Sequence, residues 1–95
     1  MAATVRVGLF EWDSAKEADN IEKHGVTFRE AILAFTDPNG LVKEDEEHSQ
    51  QERRSFFYGK VGERILTVRF TARGECVRII GAGYWRKGKK RYAER

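Results

Sequence analysis

Apolar and polar positions change their spacing along this chain, and the changes mark out its elements. Residues 5–12, Val-Arg-Val-Gly-Leu-Phe-Glu-Trp, predict a first strand that Asp13 and Ser14 stop. Ser14 with Glu17 three residues on is a capping-box pattern, which opens a helix. That helix runs to about His24, where Gly25 supplies the left-handed residue that ends it. Thr27 and Glu30 repeat the box for a second helix, with Val26 and Ala31 at hydrophobic-staple positions. Phe28, Ala31, Ile32 and Phe35 follow the i, i+3, i+4, i+7 spacing, so this helix buries one face. Asp37-Pro38-Asn39-Gly40 turns the chain. A short strand at Leu41 and Val42 leads into a polar stretch, and Glu44 to His48 read as a solvated loop.

The remainder predicts three strands, at about 52–59, 63–72 and 75–82, with turns at Val61-Gly62 and Arg73-Gly74. Two-residue loops there set Ala72 opposite Glu75 and Lys60 opposite Glu63. Arg54, Arg69 and Arg78 then lie side by side on one sheet face. Phe57, Leu66, Val68, Phe70, Val77 and Ile79 share the other face, which is the better core and the one the two helices should cover. The basic tail, Trp85 to Arg95, predicts a short helix.

Like charges opposed across a sheet cost up to about 1 kcal/mol per pair, so an arginine row calls for anions between its members. RNA phosphate fits, because arginine binds phosphate bidentately. The other reading is that these arginines spread into solvent or pair with Glu52, Glu63 or the acidic loop. A three-residue loop would flip alternate side chains and dissolve the row.

Charge sharpens this picture. Residues 1–52 hold 5 Lys/Arg and 12 Asp/Glu, whereas residues 53–95 hold 13 and 3. A basic half carrying arginines inside strands suits nucleic acid or an acidic partner. Ninety-five residues suit one domain, here 1–95. The single cysteine, Cys76, excludes an internal disulfide and a Cys-rich zinc site. No apolar run reaches the roughly 20 residues of a membrane span, and no signal-peptide core opens the chain, so a cytoplasmic protein is expected.

A longer pattern lies across these elements. Phe10-Glu11-Trp12-Asp13, Lys16, Asn20, Lys23-His24-Gly25-Val26, Phe28, Glu30-Ala31, Phe35 and Asp37-Pro38 resemble the BrnT family of type II toxin–antitoxin systems. Glu52-Arg53, Gly59, Arg64, Leu66, Val68, Thr71, Arg73-Gly74 and Arg78-Ile79-Ile80 continue the likeness. The resemblance implies an α+β, RelE-like fold: two N-terminal helices on one face of a small antiparallel sheet, with a short basic C-terminal helix here. It implies a ribonuclease toxin that inhibits translation by cutting RNA, either free mRNA or mRNA on ribosomes. It also implies a BrnA-type antitoxin with a DNA-binding domain, and by analogy a toxin dimer within a heterotetramer. The pattern departs after Ile80: the family's arginine is replaced by Gly83. A second reading is therefore a catalytically weak or inactive module that binds RNA or antitoxin.

Metal-independent RNA cleavage uses the 2′-oxygen as nucleophile. It needs a proton acceptor, cations for the phosphorane and a donor for the leaving 5′-oxygen. Arginine, with a pKa above about 12, serves the middle role. Arg64, Arg78 and Arg53 are the catalytic candidates, with Tyr84 as donor or base-stacking group. Arg54, Arg69, Arg73, Arg86 and Lys87 are the RNA-binding candidates. Glu52 and Glu63 are possible bases or ion-pair partners. His24 is an acid–base candidate because imidazole has the right intrinsic chemistry, yet a helix C-terminus also explains it. Trp12 suits the core, and Trp85 either stacks on RNA or anchors the tail. Glu44 to Glu47 with His48 match no metal-ligand spacing, so neither metal nor cofactor is expected. Gly81-x-Gly83 does not resemble a phosphate loop.

Overall fold

A computed structural model describes residues 2–95. The chain order is β1 (Thr4–Val7), β2 (Phe10–Asp13), α1 (Ser14–His24), α2 (Phe28–Ala34), β3 (Leu41–Glu44), a single 3-10 turn (Glu46–His48), β4 (Ser55–Val61), β5 (Arg64–Arg73), β6 (Cys76–Gly83) and α3 (Arg86–Glu94). The fold is α+β. Its six strands form one sheet in the order β1-β2-β6-β5-β4-β3. The sheet is mixed and larger than the small antiparallel one expected, because β2 runs parallel to β6.

The single strand expected over residues 5–12 is a hairpin instead. Val7 pairs with Phe10, and Gly8 turns the chain with φ 59°. Strand-like residues on both sides concealed this turn, whose only mark is one glycine. The expected Ser14 cap is also corrected. Asp13 is the N-cap, accepting from the Ala15 N–H at 2.7 Å. Glu17 reaches away from the helix end, accepting from Trp12 Nε1 at 3.0 Å and from the Phe28 N–H at 2.8 Å. Gly25 ends α1 at φ 69°, and Thr27 caps α2 through the Glu30 N–H at 3.0 Å, both as expected.

The core lies between α2 and one face of the sheet. Trp12, Leu66, Val68, Ile79 and Ala82 meet Val26, Phe28, Ala31 and Ala34 there, all with 1% exposure or less. Both helices were expected to cover this face, but α1 buries only Asn20. Strand β2 pairs with β6 only at Val77 and Arg78, which leaves the later β6 edge open. Asn20 fills that gap. Its amide donates to Ala82 O at 2.9 Å and accepts from Ala82 N at 3.1 Å, as a neighbouring strand would. It donates also to Val26 O at 3.0 Å, fixing the turn between the helices.

The arginine row dissolves. Gly62 and Gly74 take positive φ at the first position of each two-residue turn, the type II′ arrangement. Val61 therefore pairs with Arg64, and Arg73 with Cys76. The register thus shifts by two residues from the expected one, which preserves faces and changes neighbours. A bulge at Ile80 shifts the far end of β6 by one more residue and turns Gly81 off the core face. Arg69 ends opposite Phe56 and Gly81, while Arg78 lies opposite Thr71 and Glu11.

Helix α3 packs on the second face, over β4 and β5. Gly88 is buried there, and a Cβ on it would overlap Thr67 Oγ1. Tyr92 donates to Asp37 Oδ2 at 2.6 Å, and the same carboxylate accepts from the Lys60 N–H at 2.8 Å and the Asn39 N–H at 2.8 Å. The tail is thereby tied to the Asp37 turn.

Asn20→Ala removes three buried hydrogen bonds and strands the Ala82 backbone. We expect a loss of about 2–4 kcal/mol, read by urea unfolding. A loss below roughly 1 kcal/mol would mean that α1 is held by other contacts.

Candidate anion-binding cleft

The expected catalytic set falls into separate regions. Strand β5 has ten residues, so Arg64 and Arg73 stand roughly 30 Å apart at its ends. At one end, the Arg64 guanidinium lies 3.8 Å from the centre of the Tyr84 ring, as a cation–π pair. Tyr84 donates its hydroxyl to Glu30. Burial first, and then that carboxylate, push the Tyr84 phenol up to about 12. Arg86 borders the same shallow cleft of about 190 Å³.

At the other end, the arginines are engaged by carboxylates. Arg78 bonds Glu11 at 2.8 Å, and Arg73 bonds Glu52 at 2.9 Å. Each hydrogen bond holds its carboxyl below the ordinary value of 4.5. Arg6 adds a second cation 3.5 Å from Glu11. Arg53 is 80% exposed and lies 3.7 Å from Glu44. The sequence offered Glu52 as a partner, but Glu11 comes from a strand it did not separate.

Between the two ends lie adjoining clefts that share Arg69 and Trp85. The larger, about 550 Å³, has an acidic wall from the β3–β4 connection and a basic wall at Lys87 and Arg91. Phe56 and Tyr58 form its floor. The second, about 330 Å³, is lined by Lys16, Lys23, His24 and Asp19 of α1 and by Arg54 and Arg69. Helix α1 belongs to the acidic half of the chain, so both halves contribute cations here.

Partnering separates these cations from those at the sheet ends. Lys23 pairs with Asp19 at 3.0 Å, an exposed i,i+4 bridge. The Arg54 side chain makes no hydrogen bond or ion pair to the described residues, and its Nε is buried. Arg69 is 29% exposed and has one distant partner, Asp45 Oδ2 at 3.7 Å. An unneutralised guanidinium beside a second one is a site prepared for an anion.

Asp45 corrects the solvated-loop reading, since it is 4% exposed. Its N–H bonds Arg54 O at 2.8 Å, extending the β3–β4 ladder and turning the side chain inward. Its Oδ2 then meets His48 Nδ1 at 2.9 Å. A buried carboxylate fixes the orientation of that imidazole and leaves Nε2 for other partners. His24 borders the second cleft, its ring 5.1 Å from Trp85 in an edge-on contact. Both histidines of the chain thus border the Arg69 clefts. Asp45, Glu47 and His48 also bring ligand-type atoms within 4.8 Å of one another. Asp45 is already shared there by an arginine and a histidine.

Of the expected RNA-binding residues, Arg54, Arg69 and Lys87 border these clefts, while Arg73 and Arg86 stand at opposite ends. Lys16 stood in the family pattern with no role assigned to it, Arg91 was not singled out, and Asp45 was hidden in a run of acidic residues. The one local signal for Asp45 is the Asp-x-x-His spacing, which permits a side-chain hydrogen bond within a single turn.

The paired carboxylates set an acid limit. Glu11 and Glu52 have lowered folded values, so their stabilisation is complete above about pH 4.5 and is lost as pH falls through those values. Thermal melts from pH 6 to pH 3 should show a shallower decline for the Glu11→Gln, Glu52→Gln double variant than for the parent. Parallel curves would refute that assignment.

No helix among the described residues is long and apolar enough to cross a membrane. No curated protein matches the chain. A family model does: the ribonuclease toxin BrnT of type II toxin–antitoxin systems, over residues 12–88. The match takes in α1, both cleft histidines, Arg54, Arg69 and Trp85, and membership of such a system implies an antitoxin partner. The chain belongs to the BrnT family of ribonuclease toxins.

Proposed function

We propose that this protein is a RelE-like endoribonuclease that cuts RNA by metal-independent attack of a 2′-hydroxyl on the adjacent phosphate. One observation carries the reading: Arg54 and Arg69 face one cleft with Lys16 and His24, His48 borders the adjoining cleft that shares Arg69, and neither guanidinium is closely neutralised. RNA phosphate is the anion that the family's activity supplies.

In this reading the scissile phosphate binds Arg54 and Arg69. The 2′-oxygen attacks phosphorus, and the phosphorus–O5′ bond breaks, giving a 2′,3′-cyclic phosphate and a 5′-hydroxyl. The two arginines stabilise the charge that grows on the phosphorane oxygens. One imidazole takes the 2′ proton and the other protonates the 5′-oxygen, since imidazole both accepts and donates near neutral pH. Asp45 holds His48 for that task. Tyr84 is poorly suited to proton transfer, because its phenol is raised to about 12 and already donates to Glu30. Arg64, Arg78 and Arg53 act outside the reacting centre, in holding the sheet ends or the RNA strand.

A BrnA-type antitoxin carrying a DNA-binding domain would neutralise the protein by covering the same basic face. Binding without cleavage is the second reading, and Gly83 is the observation that favours it, since the arginine expected there is missing.

Purified protein mixed with a defined mRNA in EDTA decides between them. We expect cleavage with 5′-hydroxyl ends, and a decrease of about 10²–10³ for Arg69→Ala. Binding without any cleavage would support the second reading. Cleavage unaffected by Arg69→Ala would remove this cleft from the chemistry.

A further inference from the structure

Beside Arg69, the larger cleft opens into a pocket of about 260 Å³ whose walls are Phe56, Tyr58, Thr67, Trp85 and Gly88, with Lys87 at the mouth. The volume is just below the roughly 300 Å³ where small-molecule sites begin, so it suits one ring system rather than a whole nucleotide. Phe56 and Tyr58 stack with ring centres 6.0 Å apart and planes 23° apart, so the half-buried Phe56 ring is backed by the buried Tyr58 ring. Trp85 faces the same space and also borders the cationic cleft with Arg54 and Arg69.

Trp85 is held in place from behind. It precedes α3 with extended backbone, φ −92° and ψ 147°. Its indole lies directly over Gly83, where any Cβ would overlap Cε2, Nε1 and Cζ2. The edge-on His24 ring closes one side. A ring fixed before binding loses little entropy when a flat partner stacks on it. Gly83 and Trp85 are therefore a matched pair: the glycine leaves the space that the indole occupies.

We propose that this pocket is a nucleobase subsite, in which one unstacked base of single-stranded RNA packs against Trp85, Phe56 and Tyr58 while its flanking phosphates reach Lys87 and Arg69. The proposal rests on the RNA-cleavage reading and adds to it the position where a base is engaged. The occupant's aromatic part fits the carbon walls, and an anionic backbone suits Lys87 on the pocket and Arg69 and Arg91 on the wall of the adjoining cleft that faces away from its acidic side. An apolar peptide side chain would satisfy only the first condition.

The test uses a 2′-O-methyl single-stranded oligonucleotide, which cannot be cut. The chain has two tryptophans, and Trp12 is fully buried with its N–H on Glu17, so quenching on binding reports Trp85. We expect quenching, and affinity about tenfold or more weaker for Trp85→Leu. An oligonucleotide with one abasic position, scanned along the strand, should weaken binding to the unaltered protein at one register by a similar factor. That arm does not depend on how the variant folds. Arg69-dependent binding without quenching, and insensitive to both changes, overturns the base subsite but keeps the cleft. Binding unaffected by Arg69→Ala, or no binding, overturns both. If Trp85→Leu weakens only antitoxin binding, the pocket is a protein contact and the proposal fails.

Discussion

The Asn20 amide holds the arrangement together. Strand β2 stops pairing with β6 after two residues, and without a substitute the Ala82 backbone would face an unfilled edge. Asn20 supplies both missing hydrogen bonds and a third to Val26 O. One side chain thereby aligns α1 with the sheet edge and sets the approach of α2 to the core. Apolar burial alone does not place α1, since Asn20 is its one buried residue. The helix is positioned by a polar contact, and its Lys16, Lys23 and His24 are positioned with it.

That placement explains how a chain with divided charge builds a site from both halves. The strongly basic half supplies Arg54 and Arg69, while the acidic half supplies α1 and Asp45. At one end of the sheet two arginines have close carboxylate partners, Arg78 in Glu11 and Arg73 in Glu52. Arg54 and Arg69 lack such close partners. The structure thus separates arginines that hold the sheet from arginines that remain available to an anion. Asp45, which is buried, links Arg69 and His48 through one carboxylate.

Much of the fold was legible because local rules decided it. Gly25, Thr27 and the Phe28–Phe35 spacing defined the two helices, and three of the later strands lay where β-pattern and turns put them. The β1–β2 hairpin was hidden, since Gly8 is the one turn residue in an otherwise strand-like stretch. Register was harder still: moving each turn by one residue displaced Arg54 and Arg78 from Arg69. The bulge at Ile80 leaves no sequence mark of its own. At the site, arginine content pointed to an anion, and Arg54, Arg69 and Lys87 lie where one could bind. From α1 only His24 was weighed as a site residue, and Asp45 was not legible, because their placement depends on Asn20 and on a ladder bond from Asp45 to Arg54 across the chain.

The most direct measurement is a crystal structure of the protein with an uncleavable single-stranded RNA. A backbone phosphate should sit within hydrogen-bond reach of both Arg54 and Arg69, with His24 and His48 on either side. RNA seated instead at the Arg64–Arg86 end, or along Arg73 and Arg78, would contradict the central cleft as the place where RNA is bound and cut.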